Sequence, residues 1–239
     1  MKLFCLGLNH ETAPVELREK VSIANTHLGA ESSALVSSNS IAEGVVISTC
    51  NRTEFYLAAD SLDQAAADLT NHLQERFGIT TDEYFYEKHA REAAVHLCRV
   101  VSGLNSMVLG ETEIFGQVKK GYAAALDAGV TGGVLNRLFQ RAFSVGKKVR
   151  NSTGIQEGQT SVGSVAVDLA EKIFGHLKDS QVMVIGAGEM SRTTAQSLLS
   201  RGAQSMFVTN RSYEKALQLA DEMGGSCLLY TSPSPRDRG

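Results

Sequence analysis

The chain has 239 residues, of which 43% are hydrophobic, and its 23 basic and 26 acidic side chains give a net charge of −3. This length predicts one large or two ordinary domains with ample core, and the charge excludes a global basic field for nucleic acid. No run approaches the ~18 apolar residues of a membrane span, and the N-terminus turns polar too early for a signal peptide. Four cysteines without metal-ligand spacing favour free thiols, no metal site and a reducing cytoplasm.

The first 90 residues carry the strand and helix patterns of a β-α-β-β-α-β unit. The predicted strands are residues 2–9, 44–50, 53–59 and the aromatic run 84–86. One predicted helix covers residues 27–38, and a second is capped by Asp60-Ser61 and ends at Gly78. This order is typical of a ferredoxin-like sandwich.

Residues 90–150 read as three helices, at about 91–104, 113–128 and 133–151. The third has an apolar stripe at helical spacing, with Arg137, Arg141 and Lys148 on the opposite side. These cations form either a solvated face or a strip that meets phosphates. The polar, glycine-bearing residues 151–160 then indicate a domain boundary.

Beyond the boundary, Thr160 or Ser161 is expected to cap a further helix. Its predicted apolar face consists of Val162, Val165, Leu169, Ile173 and Leu177. A short apolar strand at 181–185 follows, and it leads into a glycine turn, a helix that stops at Gly202, and a second strand at 206–209.

The glycine turn predicts a dinucleotide site, with an ordinary α/β turn as the alternative. It consists of Gly186, Ala187, Gly188, Glu189, Met190 and Ser191. The first glycine allows the tight turn, and the second lets the backbone approach a pyrophosphate that the helix N-terminus stabilises. Its position between a strand and a helix makes the motif more specific than a lone glycine pattern.

The residues after the second strand discriminate between cofactors. An NAD site usually has an acidic residue here for the ribose 2′-hydroxyl. This chain has Asn210, Arg211 and Ser212 instead, and a guanidinium fits a 2′-phosphate. The sequence therefore favours NADP over NAD.

A nucleophile candidate lies in the polar turn between the two central strands. Cys50 has Thr49, Asn51 and Arg52 as neighbours, whereas a structural free cysteine prefers apolar surroundings. Arg52 is expected to favour the thiolate, the nucleophilic form. The alternative is a half-buried loop cysteine without chemistry.

Several long strings resemble glutamyl-tRNA reductase. They are Gly7–Val15, Ser48–Glu54, Ser102–Glu111, Gly116–Lys119 and the turn at Gly186–Glu189. The resemblance covers about residues 1–225 and implies NADPH-dependent reduction of glutamyl-tRNA to glutamate-1-semialdehyde, the first step of tetrapyrrole (porphyrin) biosynthesis. It further implies a cytoplasmic oxidoreductase that forms a homodimer through a C-terminal domain, hands its product to the next enzyme, and binds neither membrane nor DNA.

The resemblance also implies roles for individual residues. Cys50 is the nucleophile that forms a thioester, and His96 acts near the reacting centre as acid or base. The implied substrate-binding residues are Thr49, Asn51, Arg52, Ser106, Glu111, Thr112, Glu113 and Gln117. Arg52 is expected to pair with the glutamyl carboxylate. Glu113 departs from the family, which often has glutamine there, and this places its role in doubt.

The expected fold is an α+β N-terminal domain, a ferredoxin-like sheet with added helices, followed by a partial α/β Rossmann NADP-binding domain. The expected bounds are 1–155 for the catalytic domain, 156–227 for the nucleotide domain and 228–239 for a disordered, non-family tail on a truncated chain. Two other functions remain open. One is an NADP-dependent dehydrogenase of a small free substrate, which needs no thiol, and the other is a non-catalytic nucleotide- or RNA-binding module, which forms no adduct.

Overall fold

The computed structural model describes residues 1–38, 40–81, 83–156, 161–178 and 180–229. The chain divides into two compact units, Met1–Gly158 and Gln159–Gly239. Most of the predicted tail, from residue 230 onward, lies outside the described residues, as does the predicted cap Thr160.

A four-stranded antiparallel sheet forms the centre of the first unit. Its strands are β1 (Lys2–Asn9), β2 (Glu43–Ser48), β3 (Arg52–Ala59) and β4 (Tyr86–His89), in the order β2-β3-β1-β4. This is the strand order of a ferredoxin-like sandwich, so the predicted fold class is confirmed for this unit.

Helices cover both faces of this sheet. They are α1 (Val15–Lys20), α2 (Leu28–Val36), α3 (Leu62–Phe77), α4 (Ala90–Val101), α5 (Glu113–Asp127) and α6 (Gly133–Ser152). Phe55 and Leu57 of β3 point to the face with α2 and α3, whereas Tyr56 points to the face with α4, α5 and α6. Neighbouring residues of a strand point to opposite faces of the sheet. Since helices cover both faces, every residue of β3 is buried.

A buried carboxylate links the start of β2 to the start of α6. Glu43, which begins β2, accepts backbone hydrogen bonds from Val134 (3.0 Å) and Leu135 (2.7 Å) at the start of α6. Gly132 leaves room for this carboxylate, since a Cβ there would lie 2.7 Å from Glu43 Oε1. A residue 91 positions away in sequence thus supplies the N-terminal cap of α6.

Three details of the first unit differ from the sequence predictions. The fourth strand is Tyr86–His89 rather than 84–86, because residues 86–89 pair with β1 from Gly7 to Phe4. The six-residue α1 was not predicted, since it is too short to show a helical period. The helix predicted to end at residue 104 ends at Val101, before Gly103 takes a left-handed φ of 77°.

The second unit contains a three-stranded parallel sheet in the order β5-β6-β7. Its elements are α7 (Val162–Phe174), β5 (Gln181–Ile185), α8 (Glu189–Ser200), β6 (Ser205–Thr209), α9 (Tyr213–Met223) and β7 (Ser226–Cys227). The buried residues of β6 and α9, such as Val208 and Leu219, form its core. A partial Rossmann-type sheet was predicted, and this part of the fold class is also confirmed.

The apolar residues predicted for one face of α7 differ in their exposure. Val165, Leu169 and Ile173 are 42%, 57% and 64% exposed. Val167 is buried instead, and it packs with Leu177, which lies beyond the helix end. The helical period was correct, but within this unit α7 packs on α8 through a different side, where Gly163 approaches Thr194.

Candidate active site

A tight hairpin loop carries the cysteine between β2 and β3. The Thr49 amide donates to the Arg52 carbonyl at 2.8 Å, which leaves Cys50 and Asn51 at the tip. The Thr49 hydroxyl accepts hydrogen bonds from the Asn51 and Arg52 amides, each at 3.1 Å. Thr49 therefore shapes the loop, and the Cys50 thiol is a free thiol at the protein surface.

Arg18 of α1 holds this loop in place through hydrogen bonds. Its Nη1 donates to the Cys50 carbonyl (2.8 Å) and to Asn51 Oδ1 (3.2 Å), and its Nε donates to the Ala13 carbonyl (3.2 Å). The His10 amide adds a bond to the Asn51 carbonyl at 2.9 Å. Sequence reasoning missed Arg18, although the motif at residues 7–15 that it holds was recognised.

The surroundings of Cys50 favour the neutral thiol. Partial burial among neighbouring groups and the negative charge of Glu111 raise the pKa of the Cys50 thiol, and Arg18 acts weakly in the opposite direction. The expectation that Arg52 favours the thiolate is therefore wrong. The Arg52 guanidinium is 2% exposed and points into the protein, where it binds other groups.

A buried carboxylate organises the residues behind the loop. Glu54 Oε1 accepts hydrogen bonds from Arg52 Nη1 (2.7 Å), Tyr86 OH (2.6 Å) and His96 Nε2 (2.9 Å). Its Oε2 accepts a bond from Tyr56 OH at 2.7 Å. The Glu54 side chain is fully buried, so these four donors replace the water that a carboxylate normally binds.

The charge of Glu54 fixes the proton on His96. Burial alone would raise the pKa of Glu54, but the Arg52 guanidinium and the His96 hydrogen bond outweigh it and hold this pKa well below its usual range. An ionised carboxylate only accepts hydrogen bonds, so His96 Nε2 carries a proton. In neutral His96, Nδ1 is then the proton acceptor. Glu54 was not among the predicted site residues, although it lies inside a recognised string.

The loop at residues 102–112 lies against this network. Arg52 Nη2 donates to the Asn105 carbonyl at 2.6 Å, so both terminal nitrogens of Arg52 bind protein groups. Arg52 was expected to pair with the glutamyl carboxylate, whereas here its two terminal nitrogens bind Glu54 and the Asn105 carbonyl. Ser106 Oγ is buried, and it lies close enough to the Glu111 carboxylate to lower the pKa of that group.

Two glycines give this loop its path. Gly103 and Gly110 have left-handed φ values of 77° and 80°, and the Gly110 amide bonds the Gly103 carbonyl at 3.0 Å. A Cβ on Gly110 would lie 1.9 Å from the Ile155 carbonyl oxygen, so only glycine fits. Arg150 of α6 holds the loop from the other side through the Glu111 carbonyl at 2.8 Å.

Glu111 and Glu113 supply negative charge near Cys50. Burial and the neighbouring Glu113 raise the pKa of Glu111 above its usual range. Glu113 is the first residue of α5, where the helix N-terminus favours an acidic side chain. Thr112 is exposed before this helix, and Gln117 is half-buried one turn into it.

Several of the predicted site residues therefore lie around the Cys50 loop. Arg52, His96 and Asn105 are joined through hydrogen bonds, and Glu111 acts on Cys50 through its charge. The predicted substrate contacts of Thr112, Glu113 and Gln117 remain predictions.

In the second unit, the glycine turn has the backbone that a pyrophosphate needs. Gly186 takes a φ of 108°, and its amide bonds the Thr209 carbonyl at 2.8 Å. Gly188 precedes α8 without a side-chain cap, and a Cβ there would meet nothing within 4 Å. The first amides of α8 are therefore open to an anion, which fits the phosphates of a dinucleotide.

The end of β6 fits a phosphate as well. Asn210 Nδ2 donates to the Ser212 carbonyl at 3.2 Å and shapes the turn. Arg211 is exposed and has no ion-pair partner among the described residues. Ser191 is small enough to place its Oγ 3.4 Å from the Cβ position of Gly186.

Two other kinds of site are absent from the described residues. No helix there is both long and apolar enough to cross a membrane. Those residues also contain no group of three or more His, Cys, Asp or Glu side chains that could hold a metal ion.

An α+β domain with an exposed loop cysteine is followed by a parallel-sheet unit, and this places the second unit in the class of α/β folds whose glycine turn suits a dinucleotide. The family model "Glutamyl-tRNAGlu reductase, N-terminal domain" matches residues 6–153, and "Shikimate / quinate 5-dehydrogenase" matches residues 168–233. The chain belongs to the glutamyl-tRNA reductase family.

Individual relatives agree with this assignment. Glutamyl-tRNA reductase of Akkermansia muciniphila is 49% identical over 96% of this chain and 68% of its own length. The enzyme of Magnetococcus marinus is 44% identical over 94% of this chain and 54% of its own length. The solved glutamyl-tRNA reductase from Methanopyrus kandleri aligns with a TM-score of 0.61 and 38% identity, over 95% of this chain and 54% of that one. The chain thus spans between about half and two thirds of these relatives.

Proposed function

We propose that this chain carries the cysteine and nucleotide-binding parts of an enzyme that reduces glutamyl-tRNA to glutamate-1-semialdehyde with NADPH. This reaction is the first step of tetrapyrrole biosynthesis from glutamate. The observation that carries the proposal is the exposed Cys50 thiol on a fixed hairpin loop, backed by the Glu54–His96–Arg52 network. A cytoplasmic location and a homodimer formed through further residues follow from the family and remain proposals.

The first step is loss of the thiol proton. Because the pKa of Cys50 is raised, a base is needed to generate the thiolate at neutral pH. Glu111 is charged near the thiol, and its own raised pKa makes it a better proton acceptor than an ordinary carboxylate. We assign the transfer of this proton to Glu111.

The thiolate then attacks the ester carbonyl of the glutamyl group. A new C–S bond forms, the C–O bond to the ribose breaks, and the departing ribose oxygen takes a proton. His96 carries a proton on Nε2 toward Glu54, so Nδ1 is its proton-accepting face and becomes a donor when the ring is protonated. Glu54 accepts the hydrogen bond from His96 Nε2 and so holds the ring in place as the acid for the leaving oxygen.

NADPH, when bound, would supply the hydride that reduces the thioester carbon to the aldehyde, with the C–S bond broken and the Cys50 thiolate returned. The residues suited to hold it are those of the glycine turn and the end of β6. The open amides after Gly188 fit the pyrophosphate, and Arg211 fits the 2′-phosphate.

Turnover assays test the proposal. Wild-type protein mixed with glutamyl-tRNA and NADPH is expected to form the aldehyde, and Cys50→Ser is expected to abolish this. Cys227→Ser, which alters another free thiol, in β7 of the second unit, is the matched control and is expected to retain activity. A dehydrogenase of a small free substrate needs no thiol, so full activity of Cys50→Ser would contradict the proposed mechanism.

Arg211→Ala tests the cofactor. The variant is expected to raise KM for NADPH more than KM for NADH, because only NADPH carries the 2′-phosphate. Equal effects on the two cofactors would contradict the assignment of Arg211.

A further inference from the structure

The hairpin loop that carries Cys50 depends on one side chain outside it. Among the described residues, three hydrogen bonds reach Cys50 and Asn51 from beyond the loop. Arg18 Nη1 donates two of them, to the Cys50 carbonyl at 2.8 Å and to Asn51 Oδ1 at 3.2 Å. The His10 amide donates the third, to the Asn51 carbonyl at 2.9 Å. Without the Arg18 side chain, the loop would keep one of these three supports.

Arg18 is itself fixed by its surroundings. Its neighbour Leu17 packs against the hydrophobic core, and Val21, just beyond α1, is fully buried in that core. The Val21 carbonyl accepts a hydrogen bond from Thr53 Oγ1 of β3 at 3.4 Å. Arg18 Nε also donates to the Ala13 carbonyl at 3.2 Å. A functional site is held precisely in place when its supporting residues are locked by packing and hydrogen bonds, and Arg18 meets this condition.

The charge of Arg18 acts on the same loop. Each of its hydrogen bonds ends on an uncharged oxygen, and no carboxylate of the described residues forms an ion pair with it. Burial raises the pKa of the Cys50 thiol most, and Glu111 and Glu113 raise it further. The amide of Cys50 itself and the Arg18 guanidinium lower this pKa. Arg18 is thus the cation that opposes the two carboxylates.

Arg18 also decides how the Asn51 side chain is turned. A guanidinium only donates hydrogen bonds, so Asn51 must present its oxygen, Oδ1, to Arg18. The Asn51 Nδ2 group has no hydrogen-bond partner among the described residues and stays available as a donor. The family resemblance implies that Asn51 contacts the substrate. Arg18 therefore determines which Asn51 atom is left for that contact.

We propose that Arg18 is a positioning residue for thioester formation, the step in which the C–S bond to Cys50 forms and the C–O bond to the ribose breaks. Arg18 holds the Cys50 backbone in the direction of attack and leaves Asn51 Nδ2 to donate to the glutamyl group. It acts through these two residues and does not touch the substrate. Such placement matters because a displacement of about 1 Å can cost about 100-fold in rate. This inference rests on the proposed function.

Three variants of the full chain test this role. Arg18→Met removes both the charge and the hydrogen bonds. Arg18→Lys keeps the charge but loses the planar fork of the guanidinium. Lys20→Met is the matched control, because Lys20 is also a cation of α1, but its Nζ donates to the Gly78 carbonyl at 3.1 Å and not to the Cys50 loop.

Two rates are measured for each variant at the same neutral pH. The first is acylation of Cys50 by saturating glutamyl-tRNA without NADPH, followed by mass spectrometry. The second is alkylation of Cys50 by iodoacetamide, which needs the thiolate but no positioned substrate. The ratio of acylation to alkylation therefore reports how well the thiolate is placed, separately from how much thiolate is present.

Arg18→Met is expected to lower this ratio about 100-fold. Arg18→Lys is expected to give an intermediate ratio, and Lys20→Met is expected to keep the wild-type ratio. The midpoint of the pH–alkylation profile is expected to move to higher pH in Arg18→Met, because a cation is lost, and to stay in place in Arg18→Lys. A merely structural role would not move this midpoint.

A wild-type ratio in folded Arg18→Met, with folding checked by circular dichroism, would overturn the proposal. Equal losses in Arg18→Met and Lys20→Met would also overturn it, because the effect would then be one of net charge. If Arg18→Met does not fold, Arg18→Lys decides the matter. A wild-type ratio in Arg18→Lys would show that the placement of the thiolate does not depend on the guanidinium fork.

The wild-type adduct separates this inference from the proposed function. Absence of the glutamyl adduct on Cys50 in the wild type contradicts the proposed function. A normal adduct in the wild type together with an unchanged ratio in Arg18→Met contradicts the role of Arg18 alone.

Discussion

Neutralising Glu54 tests the buried network most severely. Glu54→Gln keeps the size of the side chain but removes its charge, so the Arg52 guanidinium remains buried at 2% exposure without a counter-ion. Breaking a buried ion pair by removing one partner typically costs about 3–5 kcal/mol. The replacement can still accept from some of the four donors of the carboxylate. We therefore expect a loss of roughly 3 kcal/mol in the free energy of unfolding of the first unit.

Urea unfolding followed by circular dichroism measures this loss. Glu75→Gln on the exposed side of α3 is the control, and it is expected to change stability by less than about 0.5 kcal/mol. A loss below about 1 kcal/mol for Glu54→Gln would refute the view that Glu54 compensates Arg52.

The pH dependence of the same variant adds a signed test. The folded pKa of Glu54 is lowered, so its contribution to stability is complete above the unfolded pKa of about 4.3 and is lost as the pH falls below that value. The stability difference between wild type and Glu54→Gln is therefore expected to be constant from pH 7 to 5 and to shrink toward pH 3. A difference that grows on acidification would contradict the assigned charge.

Three further predictions follow from the site and its supports. Because the pKa of the Cys50 thiol is raised, its alkylation by iodoacetamide is expected to keep accelerating above pH 9. Glu111→Gln is expected to shift the midpoint of this pH–rate profile to lower pH. An unshifted midpoint would show that Glu111 does not act on the thiol. Gly110→Ala is expected to destabilise the first unit by more than Gly129→Ala in urea unfolding, since both have left-handed φ values but only Gly110 has a carbonyl oxygen 1.9 Å from the new Cβ; equal losses would contradict this. Glu43→Gln weakens the cap of α6 and is expected to cost about 1–2 kcal/mol in the same assay, with no change if the cap is dispensable.

Much of the fold could be predicted because its signals are local. The first strand, the two central strands and the helices at 113–127 and 133–152 follow from residue periodicity and glycine stops. The strand at Tyr86–His89 could not be placed, because its bounds depend on pairing with β1. The buried side of α7 could not be found either, since it depends on which neighbour the helix packs against.

The site residues also fall into those that the sequence could predict and those that it could not. Cys50 stood out because a thiol in a polar turn is unusual, and the glycine turn stood out because of its strand and helix neighbours. The role of Arg52 was misjudged because a sequence does not show which way a side chain points. Glu54 and Arg18 were missed because their partners, such as His96 and the Cys50 carbonyl, lie 42 and 32 residues away.

The covalent adduct on Cys50 is the most direct test of the central claim. Protein mixed with glutamyl-tRNA in the absence of NADPH is digested and analysed by mass spectrometry under acidic conditions that preserve thioesters. The account predicts a glutamyl group on the peptide that contains Cys50, absent from Cys50→Ser and discharged when NADPH is added. A folded wild-type protein that binds glutamyl-tRNA but leaves Cys50 unmodified would contradict it.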